Sequence, residues 1–359
     1  MMKLRVLLIG EQSAGIQTLR MLANTAHTVV AVMTTEPSTD AHNGVSSLWR
    51  VAQAFGYTTW PAQLIKMPVF IRRIESDAID LILNVHSLYL IPGEVLQAAR
   101  IGAFNLHPGP LPRYAGLNSV SWAIYRGETV HGVTVHQMVP KIDAGPIAYQ
   151  VLFSIQPSDS AFAVSARCIR EGVILLGRLL EAASRSPDNI PLIDQDLLRR
   201  EYFGKEVPTQ GLLSWSASAR QIVNFVRACD FYPFPSPWGN PRTKLAGNEI
   251  AITRVSLSGQ CCEAEPGTVR CWEGTIQVAS SDEWIIVERL IVDGRRLSPG
   301  DVLKPGDQFQ IAGSRSDHAM QRSRQSATID SAAQVDEFAE YFRDERRTTK
   351  QNGINRSKN

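Results

Sequence analysis

Cysteine is scarce in this chain and poorly placed for its usual uses. The five are Cys168, Cys229, Cys261, Cys262 and Cys271. An odd number without paired ligand spacing fits no zinc motif, and no metal site is expected. Adjacent Cys261 and Cys262 would bridge only with strain, so reduced thiols are the expectation. Long apolar runs are also missing, and no stretch reaches the ~20 residues that span a bilayer. The opening Met-Met-Lys-Leu-Arg-Val-Leu-Leu-Ile-Gly is too short an apolar run for a signal peptide and leads into a strand-turn-helix pattern, so no membrane partner and a cytoplasmic location are expected. Charge of one sign is absent: 37 Lys and Arg face 35 Asp and Glu, a net charge of +2. That balance neither requires nor excludes a polyanion. The turn at Gly10 lacks the full Gly-x-Gly-x-x-Gly, which argues against a dinucleotide and for a tight strand-to-helix turn.

What is present suits a folded chain of about two domains: 359 residues, 44% hydrophobic and 20% charged. Val6-Leu7-Leu8-Ile9 reads as a parallel strand buried on both faces. Ile16, Leu19, Leu22 and Ala23 follow at helical spacing. Strands are expected at 29–33, 58–60, 79–85 and 103–107, a helix at 45–55 and a longer helix at 165–180. Alternating strands and helices imply βαβ units in a twisted, largely parallel sheet, an α/β fold. Pro187, Pro191 and a polar run to Thr209 read as a linker. Beyond it, Ser214 or Ser216 is a candidate cap for a helix to 227. A stiff aromatic loop, Phe231-Tyr232-Pro233-Phe234-Pro235-Ser236-Pro237-Trp238-Gly239, comes next. Short strands at 249–255, 267–271, 275–279 and 284–292 then suggest a small barrel. From Ser314 the chain is polar, with one weakly helical piece at 335–342, and a largely disordered tail is expected. The expected divisions are thus 1–195, a linker 196–210, a barrel 211–313 and a tail 314–359.

The stretch richest in chemistry is Phe104-Asn105-Leu106-His107-Pro108-Gly109-Pro110-Leu111-Pro112. Alternation on a strand sends Asn105 and His107 to one face. Three prolines in the following five residues end the strand by removing ladder donors. Asp143 lies in a polar break before Gly145, a natural place for a carboxylate to approach the histidine. An amide, an imidazole and a carboxylate together can serve acid–base and oxyanion chemistry. His136, in the strand-like run 133–138, reads instead as a packed core or groove residue, and His86 stands at another strand end.

These residues also carry a resemblance. Asn105-x-His107, Gly127-Glu128-Thr129, Gly132-Val133-Thr134-Val135-His136-Gln137-Met138 and Ile142-Asp143-Ala144-Gly145 resemble, in order, the core of the formyltetrahydrofolate-dependent formyltransferases. That group includes methionyl-tRNA, glycinamide ribonucleotide and nucleotide-sugar formyltransferases. The resemblance implies a Rossmann-like catalytic domain, an OB-like barrel after it, and 10-formyltetrahydrofolate as co-substrate. It implies Asn105 as oxyanion donor, His107 as acid–base group and Asp143 as the group that fixes the histidine tautomer and raises its pKa. It puts the folate at 85–91 and 140–143, with His86, Leu88, Leu90, Ile91, Val139, Pro140, Lys141 and Ile142 as candidate contacts. Relatives often carry Tyr-Arg-Gly where this chain has Tyr114-Ala115-Gly116, and the tRNA-formylating ones a basic insertion where it has Thr34-Thr35-Glu36-Pro37-Ser38-Thr39-Asp40. Nucleic acid needs clustered Lys or Arg, so the resemblance favours a small-molecule or carrier-linked amine, an amino sugar or secondary-metabolite amine, over tRNA. Methionyl-tRNA formylation and hydrolysis of the formylated folate stay open as alternatives, as does an oligomer.

Overall fold

The computed structural model describes residues 1–37, 47–87 and 89–310. Four expectations fall outside these: the start of the helix at 45–46, Ser38-Thr39-Asp40 of the acidic stretch, Leu88, and everything after 310.

The N-terminal half is built on β1 (Arg5–Gly10), β2 (Thr28–Thr34), β3 (Thr59–Pro61), β4 (Leu81–Val85), β5 (Gly102–His107), β7 (Val130–Gln137) and β8 (Ile147–Ser154). Their order across the sheet is β3-β2-β1-β4-β5-β7-β8. The first five run parallel, and β7 and β8 return antiparallel. Helices α1 (Gln12–Ala23), α2 (Leu48–Ala54), α3 (Val69–Ser76), α4 (Gly93–Ala98) and α5 (Ser119–Tyr125) connect them, and α6 (Ala161–Arg185) follows β8. Every residue of β4 is buried, as a parallel strand covered on both faces requires. The sheet separates two apolar layers: Leu8, Leu83, Phe104 and Leu106 pack with α1 and α6, while Leu7, Ile82 and Ala103 pack with α3 and α4. Asn105 and His107 therefore leave β5 on the face opposite Phe104 and Leu106.

α6 starts earlier than its apolar periodicity predicts, where Ser160 caps it by accepting the Ala163 N–H, and it runs on past residue 180 to Arg185. Of the stretch read as a linker, Tyr202–Phe203 forms β9, which runs parallel to β6 (Ala115–Gly116) in a two-stranded sheet.

α7 (Ala219–Cys229) opens the C-terminal part. Its cap is Ser218, not the expected Ser214 or Ser216, and Gln221 completes a capping box with it. The signal was in the Ser-x-x-Gln spacing. Strands β10 (Arg242–Leu245), β11 (Asn248–Cys261), β12 (Val269–Trp272), β13 (Thr275–Ala279), β14 (Glu283–Val292) and β15 (Arg295–Leu297) form an antiparallel sheet, with α8 (Pro299–Val302) after it. Phe309 bridges to Leu245 and Gln308 to Thr268, which ties the β10 edge to the β12 edge and closes the barrel. Trp215, Ile222, Ile252, Ile285 and Phe309 fill it. The two parts meet through rings: Tyr125 against Phe225 at 5.4 Å and Trp122 against Trp238 at 4.9 Å. The aromatic loop thus shares in domain packing. Among the described residues no helix is long and apolar enough to cross a membrane.

Leu106 is 2% exposed and anchors the strand that carries Asn105 and His107. Leu106→Ala is expected to cost about 2–5 kcal/mol of unfolding free energy, read from the urea midpoint. A loss below ~1 kcal/mol would mean that β5 is not seated on α6 as described.

Candidate active site

One polar row crosses three apolar strands. Asn84 on β4 pairs in register with Asn105 on β5, which pairs in register with His136 on β7. Asn84 Nδ2 donates to Asn105 Oδ1 at 2.9 Å. That fixes the Asn105 amide, whose Nδ2 then lies 3.1 Å from His136 Nε2 and 3.4 Å from Asp143 Oδ1. His136 Nδ1 is 2.9 Å from the Gln137 carbonyl, which can only accept. In the neutral ring Nδ1 therefore carries the proton, and Nε2 takes the Asn105 N–H.

His107, two residues along β5, is 3% exposed. Its Nε2 donates to the Tyr114 carbonyl at 2.7 Å, and its Nδ1 stands 3.4 Å from Asp143 Oδ2. The carbonyl claims the single proton of a neutral imidazole, which leaves Nδ1 bare and facing a carboxylate. Burial has the largest influence and pushes the imidazole down; Asp143 and the Tyr114 carbonyl pull it up, and the balance lies below the ordinary 6.5. The expected rise from Asp143 is present but loses to desolvation.

Asp143 is 9% exposed and collects four neighbours: Asn105, His107, His136 and the Gly116 N–H, which donates to Oδ2 at 2.9 Å. Burial alone would raise its carboxyl. The charge of His107, the His136 ring beside it at 3.3 Å and the Gly116 N–H overcome that and hold it well below the usual carboxylate range.

The carboxylate sits on the β7–β8 connection with φ of 50°, in the left-handed region. Gln195 Nε2 holds this turn by donating to the Asp143 and Gly145 carbonyls at 3.1 and 2.6 Å, and Arg200 donates to the Ile142 carbonyl at 3.0 Å. A side chain at Gly145 would put its Cβ 1.9 Å from the Gln137 carbonyl, so only glycine fits. At Gly109 a Cβ would stand 2.8 Å from His107 Nε2 and 2.9 Å from the Tyr114 carbonyl, breaking into their bond. Tyr114 is fixed in turn: its hydroxyl donates to Glu128 at 2.7 Å and its ring stacks on Phe203 at 5.3 Å. Ala115, where relatives often have arginine, is fully buried beside β9. Guanidinium groups nearby are those of Arg113, engaged by Glu128 and Glu201, and Arg126, engaged by Glu201.

The structure thus brings Asn105, His107 and Asp143 together. His86 follows β4 with φ of 52°; burial, then the charge of His107, hold its imidazole down at about 4. Ile91 is buried in the layer with Ile82 and Val95, while Leu90 is half-buried. Val139 and Ile142 are half-buried, and Pro140 and Lys141 are exposed. Pro140 Cγ lies 3.4 Å from where a Cβ on Gly93 would stand, so the 139–143 turn borders the segment after β4. His136 is buried as expected of a strand residue, yet it also belongs to the polar network. Sequence reasoning missed Asn84, Gln195 and Arg200. Asn84 could have been found, because a lone amide inside the apolar run Leu81–Val85 must have a partner.

Residues 2–180 match the formyl transferase family, and residues 207–305 match the formyl transferase C-terminal domain. The chain belongs to the formyl transferase family. Among solved structures it is similar to an N-formyltransferase from Helicobacter canadensis in complex with folinic acid and dTDP-3-aminofucose, with 18% identity over 80% of this chain and 99% of that one and a TM-score of 0.59. WlaRD, a sugar 3N-formyl transferase in the presence of dTDP and 5-N-formyl-THF, gives 17% identity over 79% and 96%, with a TM-score of 0.58. HypX from Aquifex aeolicus in complex with tetrahydrofolic acid gives 17% identity and a TM-score of 0.59 over 84% of this chain; the chain spans about half of HypX, 47%.

Because Asp143 is the larger of the two upward influences on the His107 imidazole, Asp143→Asn should move its titration still lower. Imidazole NMR shifts followed against pH read this directly. An unchanged or higher value would contradict the described pairing.

Proposed function

We propose that this formyltransferase moves a formyl group from 10-formyltetrahydrofolate to the primary amine of a small-molecule acceptor, with a nucleotide-linked amino sugar as the favoured class. The observation that carries this reading is the buried Asn105–His107–Asp143 network in a chain of this family. The folate and dTDP-amino-sugar complexes of similar proteins support both the donor and the acceptor class. The local chemistry is compatible with a folate: Asn84 Oδ1 is a buried acceptor with no donor among the described residues, beside the amide that would meet the formyl group. His86, Leu90, Ile91, Val139, Pro140, Lys141 and Ile142 are the residues that would hold the pterin.

The co-substrate supplies an activated formyl carbon; the side chains supply geometry and proton management. The acceptor nitrogen forms a bond to that carbon while the oxygen gains charge. Asn105 Nδ2 donates to this oxygen by exchanging its 3.4 Å contact to Asp143, the longer of its two. One such donor is worth about 2.7–4 kcal/mol in the transition state. His107 Nδ1, bare in the neutral ring, takes the proton of the attacking amine. The imidazolium so formed is bonded at both ends, to the Tyr114 carbonyl and to Asp143. Its proton then passes to the leaving nitrogen as the carbon–nitrogen bond of the donor breaks.

The test measures loss of 10-formyltetrahydrofolate and release of formate with a panel of amines: nucleotide-linked amino sugars, ornithine derivatives and methionyl-tRNA. Loss that depends on an amino sugar is expected, and His107→Ala should lower it by about 10²–10⁴-fold with folate binding retained. Formate released without any amine would instead mark a hydrolase, and a response to methionyl-tRNA alone would overturn the acceptor class.

A base with a lowered pKa stays competent into mild acid. Since His107 must be neutral to act, kcat/KM should fall as pH decreases, with the midpoint of that limb below 6.5. A limb centred at or above that value would remove His107 as the titrating base.

A further inference from the structure

A cavity of about 310 Å³ lies between the aromatic loop and the outer face of the barrel, and its lining includes no member of the Asn105–His107–Asp143 network. Arg254 on β11 pairs with Arg289 on β14 at a bulge in the ladder. Arg296 on β15 pairs with Ile291, two residues beyond Arg289 on the same cavity-lining face. Three guanidinium groups thus stand on three adjacent strands, a span of about 10 Å at the usual strand spacing.

This arrangement is unfavourable without an anion, because like charges directly opposite on paired strands repel. Arg254 is relieved in part by Glu288 at 2.8 Å. Arg296 lies over the Tyr232 ring at 4.1 Å, which holds its guanidinium at the cavity. Arg289 has no carboxylate partner among the described residues. Asp230 is the sole acid of the lining, and its Oδ1 is occupied by the Tyr232 N–H at 3.1 Å. The rings beside these charges are open to solvent, Tyr232 at 53% and Phe234 at 46%. Exposed aromatic surface next to three lining arginines matches a ligand with a flat base at one end and phosphates at the other. The span across three strands suits two linked phosphates better than one.

We propose that this cavity binds a nucleoside diphosphate, with the base against Phe234 and Tyr232 and the diphosphate across Arg254, Arg289 and Arg296. A free nucleotide and the nucleotide end of a sugar acceptor offer the same chemistry.

Calorimetric titration of the full chain with dTDP, pyrophosphate and thymidine tests this without any turnover, so its failure is separate from a failure of the formyl-transfer reading. dTDP should bind most tightly and thymidine most weakly. Arg289→Ala and Arg296→Ala should each weaken dTDP by about tenfold, equivalent to ~1.4 kcal/mol, with unfolding temperatures unchanged. Arg289→Lys should restore part of the loss, since it keeps the charge but not the fork. Absence of dTDP binding by folded protein, equal affinity in the alanine variants, or pyrophosphate binding as tightly as dTDP would each overturn the proposal. The source of the ligand is read in a second arm, which rests on formyl transfer to a nucleotide-linked acceptor. A KM that rises with the dTDP Kd in Arg289→Ala assigns the cavity to the acceptor's own nucleotide; an unchanged KM with weakened dTDP assigns it to a separate nucleotide.

Discussion

The rest of the site depends on one buried carboxylate. An ionised Asp143 left without partners would cost several kcal/mol, and the ordinary response would be to take up a proton and go neutral. Here the Gly116 N–H, the Asn105 amide and two imidazoles surround it, and the carboxyl stays charged. Each of those groups must itself be held. Gly116 is fixed by β6–β9 pairing, Asn105 by Asn84, His136 by its own backbone neighbour, and His107 by the Tyr114 carbonyl. The parallel sheet supplies the common level on which these side chains meet.

Two opposing influences meet at His107. Burial disfavours its charge, while the facing carboxylate favours it. The outcome is a neutral imidazole whose free nitrogen looks toward a negative group, so burial disfavours the cation and the facing carboxylate offsets part of that cost. Such a balance suits the proposed role of His107, which accepts and then releases a proton within one cycle.

Much of this was legible in the sequence. The apolar run at β1 and β4, the alternation at β5 and the prolines after His107 locate the strand ends where polar residues gather. The short strands after 249 indicate the barrel, though its closure by Gln308 and Phe309 has no strand-like signature. Other features could not be read because they depend on chain brought from far away. Gln195 and Arg200 look like solvated polar residues until β9 folds beside β6. The upward pull of Asp143 on His107 is visible in a motif, but the net direction of the shift is not, because depth of burial is a property of the whole packed domain. The cap of α7 was misplaced although its Ser-x-x-Gln pattern was in view.

The segment that returns after α6 has one more consequence. The first of the two family matches ends at residue 180 and already contains Asn105, His107 and Asp143. The two side chains that clasp the Asp143 turn, and the ring on which Tyr114 rests, come later, at Gln195, Arg200 and Phe203. The polar network therefore draws on more of the chain than the first family match covers. A fragment cut at the end of α6 would keep Asn105, His107 and Asp143 and lose the side chains that brace the turn and ring around them.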